Sequence, residues 1–269
     1  MDTLTTEYRE LLSFLQCPLQ DGEAILRRFA ALPNAISGQG EHPLERFVYV
    51  PGTRKDRVVL LAHCDTVWDR NYRTAEGEQK LREENGALSG TEALFGIGAD
   101  DRAGCAMLWQ LRNSGHSLLV LDGEERGHFG AKYLCRAYPR LLRELNRHAY
   151  MLQLDLWGGD LCMYHRIPNS RRFCDMIEGW GFREERRKNG TDIVYLCKRA
   201  CGANLSVGYR GFHLPAETLD VRQWQQVLET LQDRLAEPQP RYRTRQLVRF
   251  YRWGRRAAAR CVRKVIKKK

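Results

Sequence analysis

Two stretches of this chain, RVVLLAHCD (57–65) and HSLLVLDGEE (116–125), are nearly all apolar for the length of a strand and then end in histidine, acid or glycine. A strand apolar at every position has no solvent face, which is the pattern of a parallel sheet covered on both sides. RFVYVPG (46–52), AYMLQLDLWGG (149–159), DLCMYH (160–165) and GANLSVGY (202–209) read as further strands. LREENGALSG (81–90) reads as a hairpin turning at Asn85-Gly86. Helical spacing covers Glu7–Leu15, Gly22–Leu32, Asp101–Leu111, Phe129–Arg147 with a break at Pro139, Arg171–Trp180, Thr191–Lys198 and Val221–Leu235. Strands alternating with helices predict a three-layer α/β/α domain with a mostly parallel, mixed sheet.

The 269 residues suffice for one such domain. We expect it over 1–238, closed by Pro238 and Pro240, with a separate tail over 239–269. The charge is divided the same way. Residues 241–269 carry 13 of the 44 Lys and Arg and no Asp or Glu, so removing them from the net +11 leaves residues 1–240 at −2. In the tail Leu247, Phe250, Tyr251, Ala258, Cys261, Val262, Val265 and Ile266 fall at helical spacing among the basic residues. A basic amphipathic helix suits an anionic membrane surface, the phosphates of nucleic acid, or simple packing on the body with a solvated face. The first fifteen residues lack a basic region followed by an apolar core, and the nine cysteines show no paired spacing. The expected location is therefore the cytoplasm, with a peripheral membrane association through the tail as an option.

The chemistry lies at the strand ends, where open α/β sheets bind ligands. Five segments stand there in order: LLAHCDTV (60–67), GADDRAG (98–104), LDGEERG (121–127), LQLDLWG (152–158) and SVGYRGFHLP (206–215). Carboxylate and neutral imidazole suit Zn²⁺, Mn²⁺ or Co²⁺. His63 and Asp65, two apart on a strand, share a face, so one can bind metal while the other orients it. Cys64 between them faces the other way and belongs to the core. Glu124 and Glu125 are adjacent, so one can bind metal while the other moves protons. Asp100 and Asp101 can be ligands, or an N-cap and first-turn acid of the next helix. At the end of LQLDLWGGD the strand end favours Asp155 over Asp160. His128 and His165 are the remaining histidines most apt to line a pocket.

This ordered set (His-x-Asp, GADDRAG, GEE, a strand-ending Asp and a late His) resembles the di-zinc exopeptidase superfamily of aminopeptidases, carboxypeptidases and related deacylases, over roughly residues 5–236. The resemblance implies a phosphorylase/hydrolase-like zinc-peptidase fold and two metal ions, zinc first, with manganese or cobalt possible. It implies His63 and Asp155 on one ion, Glu125 and His213 on the other, and Asp100 bridging through a cis Asp100–Asp101 peptide. It also makes Asp65 the group that orients His63, and Glu124 the general base. Thr191 and Asp192, in GTDIVYL (190–196), resemble a Thr-Asp stretch near the substrate end of the aminopeptidase branch, and equally suit a helix N-cap. Asp155 and His213 are only 58 residues apart (213 less 155), too few for the dimerisation domain inserted in many carboxypeptidase-like members. The expected activity is hydrolysis of a peptide or amide bond, by an exopeptidase of aminopeptidase type. Its substrate would be a peptide or, for a deacylase, an N-acyl amino acid. The rival from another class is a catalytically silent protein acting through its basic tail.

Overall fold

Consecutive residues of strand β3 (Val59–His63) face opposite cores. Val59 and Leu61 join Leu119, Leu121 and Met151 in one apolar cluster, while Leu60 and Ala62 join Leu118, Val120, Leu152 and Leu154 in another. A strand apolar at every position is thereby buried on both faces. The computed structural model describes residues 3–20, 22–70, 80–91, 95–186 and 190–245. The tail positions from 247 onward that were read as an amphipathic helix lie outside the described residues.

The other strands of the main sheet are β1 (Ile36–Gln39), β2 (Arg46–Val50), β6 (Ser117–Leu121), β7 (Met151–Leu156), β8 (Leu161–Met163), β9 (Arg183–Glu184) and β10 (Gly202–Ser206). They lie in the order β1-β2-β6-β3-β7-β10-β8-β9. The central four, β6, β3, β7 and β10, are mutually parallel, and antiparallel pairs flank them. Helices α1 (Thr3–Leu15), α2 (Glu23–Ala30), α3 (Ala99–Gln110), α6 (Arg171–Gly179) and α8 (Val221–Ala236) supply the cluster on one face. Helices α4 (Phe129–Ala137), α5 (Pro139–Leu145) and α7 (Ile193–Leu196) supply the other. The result is the expected three-layer α/β/α arrangement with a mostly parallel sheet. Among the described residues no helix is long and apolar enough to cross a membrane.

A second, antiparallel sheet is made of β4 (Leu81–Glu84), β5 (Ala87–Gly90), β11 (Tyr209–Arg210) and β12 (Thr218–Asp220). Its β4–β5 hairpin turns at Asn85 and Gly86, with φ of 55° and 81°. The stretch 202–209, read as one strand, divides into β10 and β11 at Gly208. There φ is 99°, and a Cβ would come within 2.9 Å of the Asp220 carbonyl. That turn carries the chain out of the main sheet and sends the 211–217 loop back over its edge. The helix expected at 191–198 is a single turn, α7, because Cys197 is extended at ψ 94°. Beyond Pro238 the chain still holds to the body. The amide of Tyr242 bonds the Ala149 carbonyl at 3.0 Å, that of Thr244 the Arg199 carbonyl at 2.9 Å, and that of Arg245 the Pro168 carbonyl at 2.7 Å.

Candidate metal centre

Because β6, β3 and β7 run parallel, His63, the Glu124–Glu125 turn and Asp155 emerge at the same sheet edge. Asp100 arrives from the start of α3, where Asp100 and Asp101 depart from helical geometry and their peptide bond is cis. Gly104, in the next turn, lets α3 press on β7; a Cβ there would lie 2.0 Å from the Leu154 carbonyl.

These side chains meet. His63 Nε2 lies 3.3 Å from Asp100 Oδ1 and 3.5 Å from Asp155 Oδ1. His213 Nε2 lies 3.3 Å from Asp100 Oδ2 and 2.8 Å from Glu125 Oε1. The Asp100 carboxylate thus stands between two imidazoles, one oxygen toward each. His63, Asp100 and Glu125 offer ligand atoms within 4.8 Å of one another, as do His63, Asp101 and Asp155. The Asp101 carboxylate, however, is occupied: it accepts from the His63 amide at 3.0 Å and the Gly104 amide at 3.2 Å. Of the two adjacent acids, Asp101 has the local capping role and Asp100 faces the cluster.

Asp65 is 3% exposed and joins two elements of the centre. Its Oδ1 lies 3.3 Å from His63 Nδ1 and accepts from the Glu124 amide at 3.1 Å; Oδ2 accepts from the Glu125 amide at 3.1 Å. Asp155 is held by Gln153 Nε2 at 2.9 Å and Thr191 Oγ1 at 3.1 Å, while Asn204 bonds its backbone at both N and O. Asp160 is at the surface, 2.7 Å from Arg183. Cys64 is fully buried in the core. Thr191 lines the cavity, and Asp192 lies buried behind it.

The charge balance calls for cations. Burial pushes Asp155 up to about 8 and Glu125 up to about 7. Burial also acts to raise Asp100, but its bonds to His213 and His63 hold it below the usual carboxylate range. Bonds to Asp100 and Glu125 raise His213 to about 10. His63 is raised as well, the desolvation that would lower it being outweighed by Asp155, Asp100 and Asp65. Asp100, Asp155 and Glu125 crowd around two imidazoles, and this nitrogen and oxygen donor set suits Zn²⁺, Mn²⁺ or Co²⁺. The residues present fit a metal ion of this kind.

The cavity over this cluster has a volume of about 370 Å³. Trp157, Phe212 and Tyr209 form an aromatic wall, with the Trp157 and Phe212 rings stacked at 5.3 Å. His128 and His165 both line it.

Glu217 is a participant that sequence reasoning did not single out. It is 1% exposed and accepts from the Gly98 amide at 2.7 Å and the Asp100 amide at 3.0 Å, fixing the turn that presents Asp100. Its signal was its place four residues after His213 on the returning loop.

No family model and no curated protein matches this sequence. Among solved structures the chain is similar to aminopeptidase PepT from Bacillus cereus, with 13% identity, a TM-score of 0.63, and 86% of this chain and 98% of that one covered. It is also similar to a tripeptidase from Staphylococcus aureus, with 12% identity, a TM-score of 0.61 and coverage of 86% and 97%. A third is the TET1 peptidase of Pyrococcus horikoshii, described as assembling into a tetrahedron or a large octahedral shell, with 14% identity, a TM-score of 0.59 and coverage of 86% and 99%. At these identities the likeness is one of fold, which this chain shares with these peptidases.

Proposed function

We propose that this protein is a two-metal hydrolase of peptide bonds, an exopeptidase of aminopeptidase type. The observation that carries the reading is Asp100, with one carboxylate oxygen 3.3 Å from His63 and the other 3.3 Å from His213. His63 and Asp155 would hold one ion and Glu125 and His213 the other, with Asp100 shared. Two divalent ions, zinc first and manganese or cobalt as alternatives, would polarise the substrate carbonyl and acidify water. Glu124, adjacent to Glu125 but outside both ligand groups, takes a proton from the attacking water. Water oxygen adds to the carbonyl carbon, the C–N bond breaks, and Glu124 passes the proton to the leaving amine. Asp65 keeps His63 in place and fixes the turn from which Glu124 projects. The peptidase activities named for the similar structures support peptides as substrates; an N-acyl amino acid suits the same chemistry.

The test is digestion of dipeptides, aminoacyl-anilides and N-acyl amino acids by protein loaded with each metal, alongside metal counting. Two ions per chain and release of N-terminal residues are expected. Glu124→Gln should lower kcat by about 10²–10⁴-fold, the share of a general base, with both ions retained. An unchanged rate in that variant refutes the assignment.

A further inference from the structure

His128 belongs to neither ligand group, yet it stands directly behind the proposed base. It is the residue before α4 and has φ 63° and ψ 43°, a left-handed geometry that favours glycine or asparagine. Its Nδ1 lies 3.4 Å from Glu124 Oε1 and 3.3 Å from Asp192 Oδ1. Asp192 is 0% exposed, and neither of its side-chain oxygens meets a donor in hydrogen-bonding geometry, so the contact with His128 is an ion pair rather than a directed hydrogen bond. A buried carboxylate of this kind needs a counter-charge. The ring also leans on Tyr195, with centroids 5.0 Å apart, which fixes its plane. Nε2 lies toward Gly190 at the cavity lining.

We propose that His128, anchored by the buried Asp192, is a positioning residue that places a fixed positive charge against Glu124 and aims its carboxylate into the cavity. This rests on the hydrolase reading above. The two carboxylates on Nδ1 hold the ring as an imidazolium: burial acts to lower it, and Asp192 and Glu124 together raise it to about 10. The chain therefore carries an Asp192–His128–Glu124 row running from the interior to the reaction space. Removing its middle member leaves Glu124 free to swing and Asp192 unpaired.

His128→Gly suits the left-handed backbone and opens a hole the size of the ring. In the full-length, zinc-loaded protein we expect kcat to fall about 10–100-fold with KM nearly unchanged, part of the 10²–10⁴ that a base contributes. Added imidazole should restore at least part of the loss, a response that a purely structural role would not give. Should the unpaired Asp192 prevent folding, the double variant His128→Asn, Asp192→Asn removes both charges together and should show the same fall in kcat. Unchanged kcat in either variant overturns the proposal. Nitrogen-15 NMR of the metal-free protein supplies a readout independent of turnover. The His128 ring should remain cationic through neutral pH, and Asp192→Asn should lower its pKa. A ring that titrates near the ordinary 6.5, or ignores Asp192→Asn, overturns the pairing. If the loaded wild type cleaves no peptide or acyl amide, the hydrolase reading fails, and the NMR result still decides the row.

Discussion

Glu217 offers the sharpest test of how the centre is built, because its carboxylate holds backbone amides of the turn that presents Asp100. It accepts from Gly98 N at 2.7 Å and Asp100 N at 3.0 Å while 1% exposed. In Glu217→Ala both amides lose their acceptor inside the protein. At about 1–3 kcal/mol for each orphaned buried donor, the cost is about 2–6 kcal/mol before any cavity term. Glu217→Gln retains one acceptor oxygen and turns an NH₂ toward the other amide, so one partner is lost and about 1–3 kcal/mol is expected. The glutamine variant also has a pH signature. Burial raises Glu217 from its ordinary 4.5 to about 8. A carboxyl raised in the fold favours the native state while protonated and loses that advantage as pH climbs through 4.5 toward 8. Glutamine cannot titrate, so its penalty relative to wild type should be greatest below about pH 4.5, shrink as pH climbs toward 8 and level off above it. Urea unfolding of the chelator-treated protein across this range measures it, and metal titration of the same variants should show weakened binding as the Asp100 turn loosens. A Glu217→Ala protein within about 0.5 kcal/mol of wild type refutes the reasoning, as does a glutamine penalty that grows with pH.

Three further outcomes follow from the same geometry. His63 and His213 are both raised when no metal is present, so metal binding near pH 7 should expel a proton from each and weaken as pH falls; calorimetry in buffers of different ionisation enthalpy counts them. Metal at 100 times its Kd should add about 2.7 kcal/mol per site, so the Tm should rise by about 5 °C or more and return on adding chelator. Asp65→Asn leaves one of the Glu124 and Glu125 amides without its acceptor and should cost about 10–100-fold in metal affinity or activity, while an unchanged protein would deny Asp65 its orienting role.

The parts of this fold legible in the sequence were those in which a local pattern reports a global environment. Unbroken apolar runs at 59–62 and 118–121 announce strands covered on both faces, and the polar residues that end them are by the same logic at the sheet edge where ligands bind. His63, Glu125 and Asp155 could be read that way. Strand β1 could not: ISGQ is short, at the sheet edge and mostly exposed, with no apolar alternation to betray it. Long-range partnerships were hidden for a different reason. Glu217 acts on an amide 117 residues away and His128 on a carboxylate 64 residues away, and no periodicity links such pairs. Yet one kind of support residue did leave a mark. Gln153 in MLQLDL and Asn204 in GANLS are amides inside strands buried at every position. A buried amide must be paired. Both are, and both hold Asp155: Gln153 through its carboxylate and Asn204 through its backbone. A polar residue interrupting a strand with no wet face thus marks the scaffolding of a site as surely as the acid at the strand's end marks the site itself.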